Sequence, residues 1–319
     1  MRAWQFTGAG EPLQLIERDM PHPGPGEVVV KVSAAGLCAS DVHLMSGKHA
    51  ELLGKIPLIL GHETAGVIDG VGEGVTGFRV GDRVVVSGNK DYVPGFSVDG
   101  GYATHVLVRS TSLRSLPDGV SFEQGAVATD AGQTAYGAVM HSGGLQKGQR
   151  VGIIGLGGLG MTAVQLALAN GAAEVYGAEP RREVWDAAIK RGAKEVVEDA
   201  KQFGQFDLDL IIDFAGYGVT TAAAIAAVRY GGTVVLVAAP VTEATIPTPD
   251  LIRKEVTLRG SQGGHPGATE AVLAHMQRGE LEIPAEPIRF NEIPEGLKRL
   301  EQGGVNGRLV AVINTDAQK

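Results

Sequence analysis

A glycine-rich turn, Gly155-Leu156-Gly157-Gly158-Leu159-Gly160, limits what this chain can fold into more than any other stretch. It follows the short apolar run 151–154 and opens a helix pattern at 161–169. Gly155, Gly157 and Gly160 form G-x-G-x-x-G. The first glycine allows a tight turn, the second lets backbone approach a pyrophosphate, and the third lets helix and strand pack closely. The helix N-terminus then offers N–H groups and a positive dipole to phosphates. The motif alone is weak, but here a strand precedes it, a helix follows, and Glu179 lies 19 residues past Gly160 at the end of the next strand. Glu179 is expected to accept hydrogen bonds from adenosine ribose hydroxyls, which favours NAD(H) over NADP(H). Arg181 and Arg182 pull the other way, because an arginine there can pair with a 2′-phosphate.

The rest of the second half keeps the same rhythm. Strands near 174–178, 196–197, 208–214, 233–238 and 256–260 alternate with helices at 183–191 and 220–230. That alternation predicts a parallel sheet with right-handed crossovers. The first half differs. Short β-rich runs, such as 28–32 and 81–86, are separated by glycine and proline turns and predict a β barrel or sandwich. Residues 121–140 read as helical. After 262 come helices at 268–278 and 293–302 and a closing strand at 308–313.

Composition excludes several classes. A net charge of −8 argues against a general nucleic-acid binder. No run of 18 or more apolar residues is present, which predicts no membrane span. The N-terminal stretch lacks an apolar segment of signal-peptide length, and a single cysteine permits no internal disulfide. Both point to a cytoplasmic location.

That cysteine lies in Gly36-Leu37-Cys38-Ala39-Ser40-Asp41-Val42-His43. Taken alone it reads as plain core, since free cysteine is usually buried and inert. His62 follows 24 residues later and Asp130 much further on. Thiolate, imidazole and carboxylate are competent zinc ligands, and three protein ligands with one open position is the catalytic pattern. The surrounding segments are more specific than the spacing: Gly61-His62-Glu63-Thr64-Ala65-Gly66, Gly72 with Val75, Gly81-Asp82-Arg83-Val84, Asp99-Gly100-Gly101-Tyr102-Ala103 and Val305-Asn306-Gly307-Arg308. In this order, over nearly the whole chain, they resemble the zinc-dependent alcohol dehydrogenases of the medium-chain dehydrogenase/reductase family.

The resemblance implies an α/β chain with a GroES-like β-barrel catalytic domain (1–131 and 262–319) and a Rossmann doubly wound parallel-sheet domain (132–261). It implies one catalytic zinc on Cys38, His62 and Asp130, with Glu63 behind the metal or joining it transiently. Ser40 matches the hydroxyl beside the substrate alcohol, and His43 the far end of a proton relay through the nicotinamide ribose. Thr134 and Leu159 match residues near the nicotinamide, and Arg308 one near the pyrophosphate. The implied activity is reversible hydride transfer between NAD(H) and an alcohol, ketone or aldehyde, in a homo-oligomer (dimer or tetramer).

Bland readings stand beside these roles. Asp130 suits a helix cap, His43 a surface histidine, and Glu63 a buried ion pair. A zinc-free quinone or enone reductase of the same superfamily would lack the Cys38, His62, Asp130 set. A non-catalytic crystallin-like NAD(P)H binder is disfavoured by Ser40 and His43. One departure is clear: many zinc members carry a second, structural zinc on four cysteines, and this chain has a single cysteine. The corresponding lobe is expected to shrink to a loop near 87–95, with Tyr92 and Phe96 as candidate pocket walls. Among the remaining histidines, His49 is the one expected to reach the cleft.

Overall fold

The computed structural model describes residues 1–48, 50–89, 91–303 and 305–313; His49 lies outside them. Two compact units are present: Met1–Asp130 with Thr269–Gln277 and Ile283–Lys319, and Ala131–Ala268 with Arg278–Glu282. The sequence reading placed the seams at 131/132 and 261/262. Local packing explains the later return. A Cβ at Gly263 would lie 2.7 Å from Thr134 Oγ1, and Glu282 exchanges hydrogen bonds with the Gln165 side chain.

The first unit is built around the eleven-residue strand Glu27–Leu37. Its run of valines and alanines is buried almost throughout, as a strand covered on both faces should be. It pairs antiparallel with Glu63–Val71, His105–Arg109 and Arg308–Val312 in a seven-stranded sheet. A three-stranded sheet of Gln14–Glu17, Arg2–Phe6 and Leu58–Ile59 accompanies it. Phe6, Val30, Ile68, Val108 and Leu309 share one buried core.

Register in this sheet carries the chemistry. Gly36 faces Glu63, and Leu37 faces Leu309. Extending each ladder by one residue sets His62 beside Leu37 and Arg308 beside Cys38. Residues far apart in sequence therefore meet at one end of the central strand. A side chain at Gly36 would collide with Glu63 Oε2 at 2.1 Å, so glycine there makes room for the carboxyl group.

The second unit holds a six-stranded parallel sheet in the order Glu195–Val197, Glu174–Ala178, Arg150–Ile154, Leu210–Asp213, Thr233–Leu236, Thr257–Gly260. The chain starts at Arg150–Ile154 and winds outward in both directions. Strand order thus reverses there, and the glycine turn leaves the carboxyl end of that strand, where open α/β sheets bind ligands. Among the described residues, no helix is long and apolar enough to cross a membrane.

Candidate metal centre and dinucleotide turn

Cys38 directly follows the central strand and N-caps the helix Ala39–Met45, an element the sequence pattern does not predict. Its backbone N–H donates to Asp41 Oδ2 at 3.1 Å, which places Asp41 at the third helical position of a capping box. His62 comes from the residue before Glu63–Val71. Asp130 lies on the π-helical turn Ala128–Gly132, a rare geometry often found at functional sites. The stretch expected as one helix from 121 to 140 is helical in four successive segments, beginning with Phe122–Val127 and ending with Gly137–Ser142.

Ligand atoms of Cys38, His62, Glu63 and Asp130 lie within 4.8 Å of one another. Cys38 Sγ is 3.3 Å from Asp130 Oδ2, and His62 Nε2 is 3.6 Å from the same oxygen. A tetrahedral zinc with bonds of about 2.3 Å to sulfur and about 2.0–2.1 Å to nitrogen and oxygen requires ligand–ligand edges of roughly 3.4–3.6 Å. The donor set and spacing therefore fit zinc. Both Glu63 oxygens are buried without an aligned hydrogen bond, which also suits a cation close by.

Three further groups frame these ligands. Asp41 Oδ1 is 3.3 Å from His62 Nδ1, so the carboxylate fixes the tautomer that aims Nε2 at the centre. Asp41 Oδ2 also accepts from the fully buried Tyr102 hydroxyl at 2.7 Å. Arg308 reaches Cys38 Sγ at 3.5 Å, Asp130 Oδ2 at 3.0 Å and Glu63 Oε1 at 3.3 Å. Phe96 packs its ring 4.6 Å from the His62 ring. Sequence reasoning missed Asp41, Tyr102 and the Arg308 contacts with the ligands. The first had a visible signal, the N-cap-to-third-position spacing of Cys38 and Asp41.

The electrostatics follow from burial and these neighbours. Burial would lower His62, but the Asp41 charge and hydrogen bonds to Asp130, Asp41 and Cys38 hold it well above its ordinary value. Burial opposes charge on Asp130, yet His62 and Arg308 hold it well below the usual carboxylate range. Glu63 is pushed up to about 8 by burial, against the opposing pull of Arg308. Arg308 is raised despite burial, by the anions of Cys38, Glu63 and Asp130.

Ser40 Oγ lies 3.6 Å from Cys38 Sγ. His43 is on the same short helix, three residues on, and so shares the Ser40 face. The segment after Ser87 is a compact loop. Gly100, Gly101 and Tyr102 donate backbone hydrogen bonds to Ile59, Gly61 and Leu60, which ties the loop to the residues before His62. At Gly61, with φ +94°, a side chain would strike the Tyr102 ring at 2.5 Å. The two candidate wall aromatics separate: Phe96 faces His62, while Tyr92 is covered by the Arg109 guanidinium 4.4 Å above its ring.

In the second unit, Gly157 caps the helix Gly158–Ala169. That helix begins with Gly158, Leu159 and Gly160, whose N–H groups have no partner within it. A side chain at Gly160 would strike the Gly155 carbonyl oxygen at 1.9 Å, whereas one at Gly157 would meet nothing within 4 Å. Gly160 thus serves strand–helix packing, and Gly157 leaves open space that a pyrophosphate can use. Glu179, almost fully buried, accepts from the Leu156 N–H at 2.9 Å and so clamps the turn. Arg181 pairs with Glu179, and Arg182 pairs instead with Glu198 at 2.8 Å. Thr134 is nearly buried on the helix Gln133–Tyr136.

Comparison with known proteins points to one family. Residues 24–118 match the alcohol dehydrogenase GroES-like domain, and residues 158–278 match the zinc-binding dehydrogenase domain. An alcohol dehydrogenase of Geobacillus stearothermophilus is 34% identical over 330 residues, covering 95% of this chain and 97% of its own. An NAD-dependent alcohol dehydrogenase of Sulfurisphaera tokodaii is 29% identical, covering 98% of this chain and 100% of its own. The crystal structure of the alcohol dehydrogenase from Aeropyrum pernix superposes with a TM-score of 0.89 at 30% identity, covering 98% of this chain and 100% of that one.

Proposed function

We propose, for a chain that belongs to the zinc-dependent alcohol dehydrogenases of the medium-chain dehydrogenase/reductase family, that it interconverts a small alcohol and its ketone or aldehyde by hydride exchange with NAD(H). The observation that carries this reading is the convergence of Cys38, His62 and Asp130 at tetrahedral zinc spacing, with Ser40 beside them. When bound, zinc supplies Lewis acidity to the substrate oxygen, and NAD supplies the hydride acceptor.

The chain's own residues do the rest. Cys38 and Asp130 would contribute two negative charges to balance a divalent cation, and His62, oriented by Asp41, would add a neutral nitrogen donor. Glu63, whose carboxylate lies in the same cluster, could offer a fourth oxygen donor. Ser40 accepts the hydroxyl proton of the alcohol and passes it outward, with His43, three residues on along the same helix, as the terminal shuttle. The Gly158–Gly160 N–H groups hold the pyrophosphate, while Arg308, buried against Cys38, Asp130 and Glu63, balances their negative charge. Glu179 accepts from the adenosine ribose. Leu159 and Thr134 pack against the nicotinamide.

Assembly as a homo-oligomer is supported by the edge strand Thr257–Gly260, exposed at every residue, since open edges invite pairing with another chain. A reducing cytoplasm suits a chain whose single cysteine is a metal ligand. The test is turnover of secondary alcohols with NAD by zinc-loaded and chelator-stripped protein. Activity should vanish on stripping and return with zinc; turnover that survives complete removal contradicts the proposal.

A further inference from the structure

The second unit contains a feature of cofactor choice that the fingerprint alone does not specify. Glu179 has two oxygens and about four acceptor positions, and four protein donors fill them. Oε2 accepts from the Leu156 N–H at 2.9 Å and from Arg181 Nη2 at 3.1 Å. Oε1 accepts from the Arg181 N–H at 3.1 Å and from Arg181 Nε at 3.0 Å. Two of these donors are backbone groups fixed by the turn and the strand end. The other two belong to one guanidinium whose side chain is 38% exposed.

A ribose diol also brings two donors, one per hydroxyl. It can bond this carboxylate only by taking the positions the guanidinium holds, because the backbone donors cannot leave without undoing the turn. The swap conserves hydrogen bonds on Glu179: two side-chain donors leave and two hydroxyls arrive. The displaced guanidinium is then free, two residues from the ribose acceptor, where a 2′-phosphate would offer it a charged partner.

We infer that Arg181 sets the cofactor preference of this chain by competing with the adenosine ribose for Glu179 and by pairing with the 2′-phosphate when one is present. The inference rests on the reading of Glu179 as the ribose acceptor. Arg181 is thus a specificity-determining residue that penalises NAD(H) and aids NADP(H), which narrows the discrimination the carboxylate would otherwise impose. Arg182 is already engaged: it pairs with Glu198 and lies 5.5 Å over the Trp185 ring.

Trp185 provides the readout. Its Nε1 donates to the Glu179 carbonyl oxygen at 2.8 Å, so its fluorescence reports binding at this strand end in the full chain without any turnover. NADH and NADPH are titrated into wild type, Arg181→Ala, Arg181→Lys and Glu179→Gln. Releasing one half-exposed ion pair corresponds to roughly fivefold in affinity. Arg181→Ala should therefore bind NADH about fivefold more tightly and NADPH at least fivefold more weakly. Arg181→Lys, a point charge that cannot bridge both oxygens, should fall between wild type and Arg181→Ala for both cofactors. Unchanged or weaker NADH binding by Arg181→Ala overturns the inference. If Glu179→Gln weakens NADH in that case, Glu179 still reads the ribose and only the competition fails; if Glu179→Gln also leaves NADH unchanged, the ribose reading itself fails.

Discussion

Tyr102→Phe removes a single hydroxyl linked to the candidate metal centre through two residues, Tyr102 to Asp41 and Asp41 to His62. The ring stays, and with it the packing that requires glycine at position 61. Asp41 Oδ2 keeps only the Cys38 N–H at 3.1 Å. A hydrogen bond to a charged group contributes about 1.5–3 kcal/mol, so the metal-free fold should lose on the order of 2 kcal/mol. Asp41 then has freedom to rotate away from Nδ1, and His62 loses its fixed orientation. Outer partners of this kind change metal affinity by about 10–100-fold. Because the Cys38 N–H still anchors the carboxylate, the low end, about tenfold weaker zinc binding, is expected. The assay is competition for zinc against a chromophoric chelator, with Val108→Ala as a control. Val108 is fully buried in the same sheet, and its truncation costs a comparable amount, about 1.5–3 kcal/mol, without touching the site. Zinc affinity in Tyr102→Phe within twofold of wild type, with the melting temperature lowered as in the control, would refute the reasoning.

Gly157→Ala should leave thermal stability unchanged but weaken NADH binding, since its side chain meets nothing in the protein. Gly160→Ala should lower stability by about 1–3 kcal/mol, because its Cβ would lie 1.9 Å from the Gly155 carbonyl oxygen; calorimetry and NADH titration of the pair separate the two roles, and equal stability losses would contradict them. Metal-stripped protein should lose stability as pH rises. Glu63 is raised from 4.5 to about 8, so the folded state holds a proton the unfolded chain releases through that window. His62, also raised, contributes stability that is lost as pH climbs through its folded value. Melting temperature should therefore fall from about pH 5 to about pH 8, and Glu63→Gln should flatten the slope; a rise over that range would contradict both assignments.

The glycine turn was legible because its constraints are local: strand before, helix after, acid at the next strand end. The candidate ligands Cys38, His62 and Asp130 could be named from short sequence segments, and the structure brings their atoms together. What joined them was not legible. The pairing of Gly36 with Glu63 and of Leu37 with Leu309 is a register, and register depends on turns and bulges that no single segment encodes. For that reason the sequence suggests only a pyrophosphate contact for Arg308, whereas the structure buries it against Cys38, Asp130 and Glu63. Tyr102 was seen as part of a glycine-rich segment, and only the path of Gly100–Tyr102 along Ile59–Gly61 turns its hydroxyl into a partner of Asp41. The helix Ala39–Met45 escaped notice because it is seven residues long and lacks a strong apolar period.

Metal content tests the single thiolate-bound centre. Elemental analysis of purified protein, with Cys38→Ser alongside, should find one zinc per chain in wild type and little in the variant. Cobalt exchanged into wild type should show a thiolate charge-transfer band that the variant lacks, while NADH binding persists in both. Two tightly held zincs per chain, or full zinc occupancy in Cys38→Ser, would contradict a single thiolate-bound centre.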